Sequence, residues 1–459
     1  MPSPHVVIIG GGIAGLTTAW ALAARGVRPL VLERAARPGG VILTEHIDGF
    51  TIDGGPDALL IQKPAALQLA RELGLGERLF PTLPPRTAFV LRGGRLVRLP
   101  EASFLGIPTR IGPFITTDLF SWPGKIRMGL ELLVPKRLSN DDESIGSFMG
   151  RRFGREAVTY LAEPLLAGIH AGDVDRLSMR ALFGRLLEAE HSHGSVIRAL
   201  RSLKMPASPH GAFMSLPGGV GELVDALVAA LPAGTIRYGA TAAAVEGAGP
   251  YRVHLEGGEA LEARAVVLSA PAWATAPLLD GFDAGLAAFC RSVPYASTAT
   301  VALGFRRDQI GHPMEGSGFV VPRAERTALM AGSWITSKWP MRAPEGMALI
   351  RGFLGGAGDP YILDRSDEEL RRATLEEMTA LLDIRGEPVV SRVYRWPRAS
   401  AQHEVGHHAR LAAFDARLTA HPGLFATGSG FRGSGIPDCV ADARKVAGEV
   451  AAFLGSESE

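Results

Sequence analysis

The chain has 459 residues, too many for one hydrophobic core of ordinary size, so its length points to two or three domains, at least one of them discontinuous. Its 48 Lys and Arg against 47 Asp and Glu argue against a nucleic-acid or anionic-membrane surface built from bulk charge. Two cysteines, Cys290 and Cys439, are too few for a disulfide framework or a cysteine-built metal site, and they suit a reducing cytoplasm.

The first element is a short β-branched strand, Val6 to Ile9, followed by Gly10-x-Gly12-x-x-Gly15 and a helix-compatible stretch. It lacks the basic flank of a signal sequence, and no run of about twenty apolar residues elsewhere predicts a transmembrane helix, although a peripheral membrane contact stays open. A second strand, "PLVLE", ends on Glu33, eighteen residues after Gly15. This strand–glycine turn–helix–strand–acid order is the context of a dinucleotide fingerprint. Gly10 permits the tight turn, Gly12 lets backbone N–H groups approach a pyrophosphate, and Gly15 lets the helix pack on the strand. The helix N-terminus, with Gly11, Ile13 and Ala14 around it, favours the anion, and Glu33 would accept from a ribose and repel a 2′-phosphate. The next turns, "RPGGVILT" with Gly39 and Gly40 and "IDGGPDAL" with Gly55 to Ala58, read either as ordinary turns or, by resemblance to the segment that glutathione-reductase-like FAD proteins add, as the lengthened crevice of an FAD site, which a plain NAD site does not need.

Residues 100 to 205 carry three stretches with apolar residues at i, i+3 and i+4 and little strand signal, predicting a helical insert. "SLPGGVGELVDALVAAL" predicts a turn and an amphipathic helix with Leu223, Leu227 and Leu231 on one face. The stretch from Thr235 to Pro271 reads as three strands, the last of them "AVVLSAP" returning to the cofactor domain. Residues 290 to 400 are strand-rich and predict an antiparallel sheet beside a substrate cavity. His403, His407 and His408 have no carboxylate or cysteine set around them and read as no metal site; His191 and His193 read as solvated. The far-end run "TGSGFRGSGIPDC", four glycines and a proline from Thr427 to Cys439, opens a last helix. Its N-terminus, with Pro437 in the first turn, is expected to face the redox end of the same cofactor, Gly433 and Gly435 being small to leave room for the ring.

The segments "HVVIIGGGIAGL", "GGPDALL", "GIPTRIGPFITTDLFSWPGK", "EPLLAGIHAGDVDRLSM", "GSGFVVP", "WPRASAQHEVGHH" and "GSGIPDCVADARKVA" occur in this order, and together the chain closely resembles the oxygen-dependent porphyrinogen oxidases of haem synthesis. The resemblance implies an α/β fold: a Rossmann-like FAD-binding domain of glutathione-reductase/amine-oxidase type (1–80, 211–290 and 415–459), an α+β substrate domain (81–99 and 291–414) and a helical domain (100–210). It implies non-covalent FAD and a six-electron oxidation in three rounds, each passing a hydride to the flavin and then to oxygen with release of hydrogen peroxide. Carried over by position, Gly10 to Gly15, Glu33, Arg34, Gly39, Gly40, Gly55, Pro56, Asp57, Ala58, Ala242, Trp396, Gly435, Ile436 and Pro437 look like cofactor contacts, with no catalytic residue assigned. The resemblance places Ile169 and Phe353 where the family lines the tetrapyrrole cavity and makes Lys63 a candidate partner for a propionate; Gly318 and Arg86, the arginine nearest the position of a family arginine, are further substrate candidates.

Two departures separate the chain from the mitochondrial pattern: Ala88 stands where an arginine precedes the "FVLRGGRLVRLP" hairpin, and "AQH", Ala401 to His403, replaces "PQY". The text is similar to that of the soluble bacterial branch, whose members often act on coproporphyrinogen III rather than protoporphyrinogen IX. Its four propionates call for basic groups, for which Lys63, Arg86, Arg95, Arg98 and Arg351 are candidates. A cytoplasmic location and hand-over of product to a ferrochelatase are further implications. Amine oxidases, carotenoid desaturases and non-enzymatic escort proteins share the N-terminal motif and stand as the alternatives; a flavin linked to Cys439 would favour the first.

Overall fold

The computed structural model describes residues 5–100, 103–104, 107–108, 111–202 and 210–456. Gly106, Thr109 and Arg110 of the "GIPTRIGPF" segment, Leu203 at the end of the third helical stretch, and the last three residues of the expected cofactor domain lie outside them. The elements that build the site are, in chain order, β1 (Val6–Ile9), α1 (Ile13–Ala23), β2 (Pro29–Glu33), β3 (Phe50–Asp53), β4 (Ala88–Arg92), β5 (Arg95–Arg98) and α2 (Glu163–His170). They continue with β6 (Ile236–Tyr238), β7 (Ala265–Leu268), β8 (Tyr295–Arg306), β9 (Gly318–Val320), β10 (Leu329–Trp334), β11 (Met347–Gly355) and α3 (Asp367–Leu382). The last are β12 (Val390–Ala401), α4 (His407–Leu418), β13 (Leu424–Ala426) and α5 (Ile436–Ser456).

Uninterrupted apolar runs such as "VVII" and "AVVL" leave no polar face to turn to water, and such strands belong in a parallel sheet covered on both sides. They form one, in the order β6-β2-β1-β7-β13. On one face Leu16 and Leu22 of α1 meet Val440, Ala447 and Val450 of α5 and the buried Leu223 and Leu227. On the other, Val7, Val266 and Leu268 meet Leu286, Phe289 and Phe414. The stretch 235–271 holds five strands rather than three. Its first, β6, is short and largely exposed and pairs parallel to β2 at the sheet edge, and its last is β7. Only the middle three, Ala242–Glu246, Tyr251–Leu255 and Ala260–Ala263, form an antiparallel meander.

The second large sheet runs β12-β8-β11-β10-β9-β4-β5. It is antiparallel except where β9 lies parallel to β4, because the early hairpin β4–β5 docks on an edge formed by residues more than two hundred positions later. One face, with Val301, Phe305, Ile350 and Trp334, is sealed by Leu370, Met378 and Leu382 of α3. Period-two alternation sends Arg351, Phe353, Tyr394 and Trp396 to the opposite face. There the last turn of α2 approaches, an added Cβ at Gly168 lying 3.4 Å from Val320 and 3.8 Å from Ala331. Helices fill residues 111–202, among them Ile145–Phe153 and Met179–His193. Among the described residues no helix is long and apolar enough to cross a membrane.

Candidate cofactor and substrate site

Both glycine-rich turns sit at the carboxyl edge of the parallel sheet, one after β1 and one after β13. Gly10 donates to Leu32 O at 2.9 Å, and a Cβ at Gly15 would overlap the carbonyl oxygen of Gly10, so α1 begins in direct contact with the strand that feeds it. Gly12, the residue before α1, faces open space: no atom lies within 4 Å of where its Cβ would be. An open helix N-terminus fits an anion. Glu33 lies against Gly11, accepting from its N–H at 2.7 Å and from that of Ala35 at 2.8 Å. The carboxylate is thereby fixed at the end of β2, one residue from the phosphate turn.

The second glycine pair packs on the first. Gly39 donates to Gly11 O at 2.8 Å, and a Cβ at Gly40 would stand 3.4 Å from Gly12 Cα. Both residues take left-handed φ, 93° and 59°, which a side chain would oppose. Arg37 holds this turn, donating to the carbonyls of Pro38 and Ile42 at 3.1 Å and of Gly40 at 2.7 Å. Arg34 lies exposed at the rim, 5.4 Å over the ring of Trp273. Ala242 begins the meander, close to where Ala240 donates to Glu33 O at 3.0 Å.

At the far turn Cys439 donates to Gly435 O at 3.0 Å, so Gly435 caps α5, and a Cβ there would meet only Pro437 at 3.8 Å and Asp438 at 3.9 Å. Gly433 corrects the expectation made for it: a Cβ would stand 2.8 Å from Cys439 N, so its size serves the helix start rather than a ring. The side chain of Ile436 is buried in the core beside Val440. Ile13 and Ala14 of α1 pack on Cys439 and Ala443 of α5, which joins the two turns. Burial, reinforced by Asp438 and Asp442, pushes the Cys439 thiol up to about 12, and its Sγ points to Gly433 O at 3.8 Å.

The segment Gly54–Ala58 follows β3. Trp396 Nε1 donates to Gly54 O at 2.9 Å, and Arg351 donates to Gly55 O at 3.0 Å. Pro56 and Ala58 are half-buried within it. Asp57 carries more than a turn: its carboxylate is paired with Lys338 at 2.8 Å and Arg351 at 3.4 Å. Burial opposes its ionisation, but Lys338 and Arg351 outweigh that and hold it at about 2.

The substrate candidates are spread unevenly. Phe353 lies on the sheet face toward α2, with Arg351 4.6 Å over its ring, and Ile169, in the last turn of α2, is 59% exposed. Gly318 is corrected: a Cβ would overlap Gly332 O of the neighbouring strand, so sheet packing sets its size. Arg351 is 3% exposed and thus a buried structural cation rather than a surface charge. Arg98 pairs with Phe89, whose ring belongs to the core under α3, and so lies on the face away from Phe353. Arg95 is exposed at the hairpin tip, and Arg86 is exposed and donates to Thr82 O at 2.8 Å. Lys63 donates to Asp438 at 2.7 Å, just past the far glycine turn, and is about half exposed. Near it, burial and the neighbouring His403 and Lys63 push His170 down to about 4.

Two features of the site had no local signal in the sequence: the Lys338–Asp57 pair and the use of His403 and His407 as anchors. His403 Nε2 lies 2.9 Å from Ser429 O and His407 Nε2 2.8 Å from Phe431 O. Among the described residues no group of three His, Cys, Asp or Glu could hold a metal ion, and His191 and His193 are exposed.

The family of flavin-containing amine oxidoreductases matches residues 13–451. The coproporphyrinogen III oxidase of Bacillus subtilis is 35% identical, covering 98% of this chain and 99% of its own. The chloroplastic protoporphyrinogen oxidase 1 of Spinacia oleracea is 30% identical, over 99% and 85%. A crystal structure from Exiguobacterium sp. 255-15, named for protoporphyrinogen oxidase, superposes with a TM-score of 0.89 at 32% identity, covering 99% of this chain and all of that one.

Proposed function

The chain belongs to the flavin-containing amine oxidoreductases, and on that premise we propose that it is the FAD-dependent enzyme that oxidises coproporphyrinogen III to coproporphyrin III in haem synthesis. Oxidation of a porphyrinogen is carried by relatives of that name matching the chain end to end. The choice of coproporphyrinogen rests on one observation: the identity of 35% to the coproporphyrinogen III oxidase of Bacillus subtilis, over nearly all of both chains, against 30% to the protoporphyrinogen oxidase of Spinacia oleracea.

When bound, FAD supplies the two-electron acceptor for a hydride from a porphyrinogen bridge carbon. The chain's own residues bind and orient. The N-terminus of α1 at Gly12 holds the pyrophosphate and Glu33 the adenosine ribose, with the start of the meander at Ala242 beside the adenine. Gly39 and Gly40 leave room for the chain that links phosphate to ring. Gly54–Ala58, Trp396 and the cap of α5 at Gly435 hold the ring. Ile169 and Phe353 offer the tetrapyrrole an apolar wall, and Lys63 and Arg86 stand for its propionates. No protein base is assigned, because the macrocycle's own N–H groups lose protons as it aromatises. Rate then depends on how closely the bridge carbon is held. Oxygen is the acceptor that closes each round, the cytoplasm the compartment, and a ferrochelatase the recipient of the product.

Incubation of purified protein with coproporphyrinogen III in air tests this. Porphyrin fluorescence should appear with about three equivalents of peroxide per porphyrin, as a six-electron oxidation in two-electron steps requires. Porphyrin formed without peroxide would remove oxygen as the acceptor.

A further inference from the structure

Behind the segment Gly54–Ala58 lies a group of five charges almost shut off from water. Arg342 pairs with Asp53 at 2.9 Å, Lys338 with Asp57 at 2.8 Å, and Arg351 reaches Asp57 at 3.4 Å. The three cations expose 1%, 12% and 4% of their side chains, and the two carboxylates 3% and 17%. Three positive charges face two negative ones. Arg342 Nε and Nη1 and Arg351 Nε are buried without a hydrogen-bond partner among the described residues, and Glu222, the further carboxylate that acts on Arg342, is itself paired with Arg78 at 2.7 Å, so the excess of one positive charge stays. A buried, uncompensated charge is costly to keep and adds nothing to packing that an apolar residue could not.

The excess is wired to the segment it lies behind. Arg351 donates to the carbonyls of both Asp53 and Gly55, Lys338 acts through Asp57, and Arg342 also donates to Ser215 Oγ at 2.8 Å, which in turn donates to Asp57 O at 2.7 Å. Uptake of a hydride by a neutral ring adds one negative charge to it, and a positive charge held close in a low-dielectric setting favours that product. We propose that the Lys338–Arg342–Arg351 cluster is the counter-charge of the redox site: its net positive charge raises the reduction potential of the flavin held by the Gly54–Ala58 segment. This rests on the cofactor assignment above and adds to it three positioning residues, which touch neither substrate nor reacting atoms.

Sign distinguishes a charge effect from a packing effect. The flavin potential of holoenzyme is read anaerobically by equilibration with a dye of known potential. Lys338→Met removes a cation and should shift the potential negative; Asp57→Asn removes an anion and should shift it positive. The double variant restores the original net charge and should return close to wild type, and Lys338→Arg should do the same. Arg342→Met and Asp53→Asn repeat the comparison one ion pair away, with the same two signs, should a variant at the first pair lose its flavin. Shifts of one sign in all variants, or no shift with flavin bound, would overturn the proposal. A protein that binds no flavin would instead overturn the reading on which it rests.

Discussion

His403 and His407 stack face to face, ring centroids 4.1 Å apart and planes 9° from parallel. Each faces a carbonyl of the far glycine turn through Nε2, so each must carry its proton there and donate, to Ser429 O and Phe431 O. A "His-rich turn" thus has a mechanical use. It ties the loop that caps α5 to α4 and the end of β12, and burial disfavours the charged form of each imidazole while repulsion keeps the stacked pair from being charged together.

That preference for the neutral form gives a pH dependence. Burial, then the neighbouring His403, pushes His407 down to about 4 from its ordinary value near 6.5. The unfolded chain takes up a proton between those values while the folded chain does not, so stability is lost as pH falls from about 6.5 to 4, by up to ~3 kcal/mol from this group. His407→Gln keeps an N–H donor and cannot titrate. Urea midpoints at pH 7 and pH 4.5 should therefore fall further for wild type than for the variant; equal losses would show that His407 does not report on acid stability.

The glycines divide into two kinds, and substitution should separate them. At Gly15 a side chain overlaps Gly10 O, so Gly15→Ala should cost ~3 kcal/mol or more and abolish folded protein. At Gly435 a Cβ has ordinary contacts only, so Gly435→Leu should fold with the melting temperature of the apoprotein unchanged yet weaken FAD binding by ~10-fold or more, as the leucine fills the crevice. Flavin absorbance per protein after purification, read beside circular dichroism, decides both.

Arg37 binds three carbonyls of the turn that carries Gly39 and Gly40. Charged hydrogen bonds of this kind contribute ~1.5–3 kcal/mol when their partners stay buried. Arg37→Ala should raise the FAD dissociation constant, with a smaller loss of global stability because the turn is local. Quenching of FAD fluorescence on reconstitution measures it.

A buried thiol pushed up to about 12 is a poor nucleophile, and covalent attachment requires the thiolate. Cys439→Ala should therefore leave flavin content unchanged, and acid precipitation of the wild type should release the yellow colour to the supernatant. Colour retained in the pellet would contradict this.

Much of the cofactor half was legible because its demands are local. A tight turn, an open helix N-terminus and an acid at the next strand end are set by residues within about thirty positions of each other, and Gly10, Gly12, Gly15 and Glu33 carry them in order. The return of the chain into the parallel sheet was legible in the apolar "AVVLSAP", although β6 hid as a short polar edge strand. The rest was not local. Asp57 meets Lys338 across 281 positions and Lys63 meets Asp438 across 375, and no spacing rule connects them. Gly433 was read as making room for the ring, where the start of α5 sets its size, and the core burial of the Ile436 side chain has no signal in the resemblance that singled it out. Gly318 and Arg351 were read one residue at a time, and only strand register shows that one packs on β10 and the other lies beneath Asp57.

The account turns on what reduces the flavin. Purified holoenzyme, free of oxygen, is mixed in parallel with coproporphyrinogen III and with protoporphyrinogen IX, and flavin absorbance near ~450 nm is followed. Rapid bleaching by coproporphyrinogen III, with slower bleaching or none by protoporphyrinogen IX, is the predicted result. Faster bleaching by protoporphyrinogen IX would contradict the substrate, and an unbleached flavin with both would contradict the reaction.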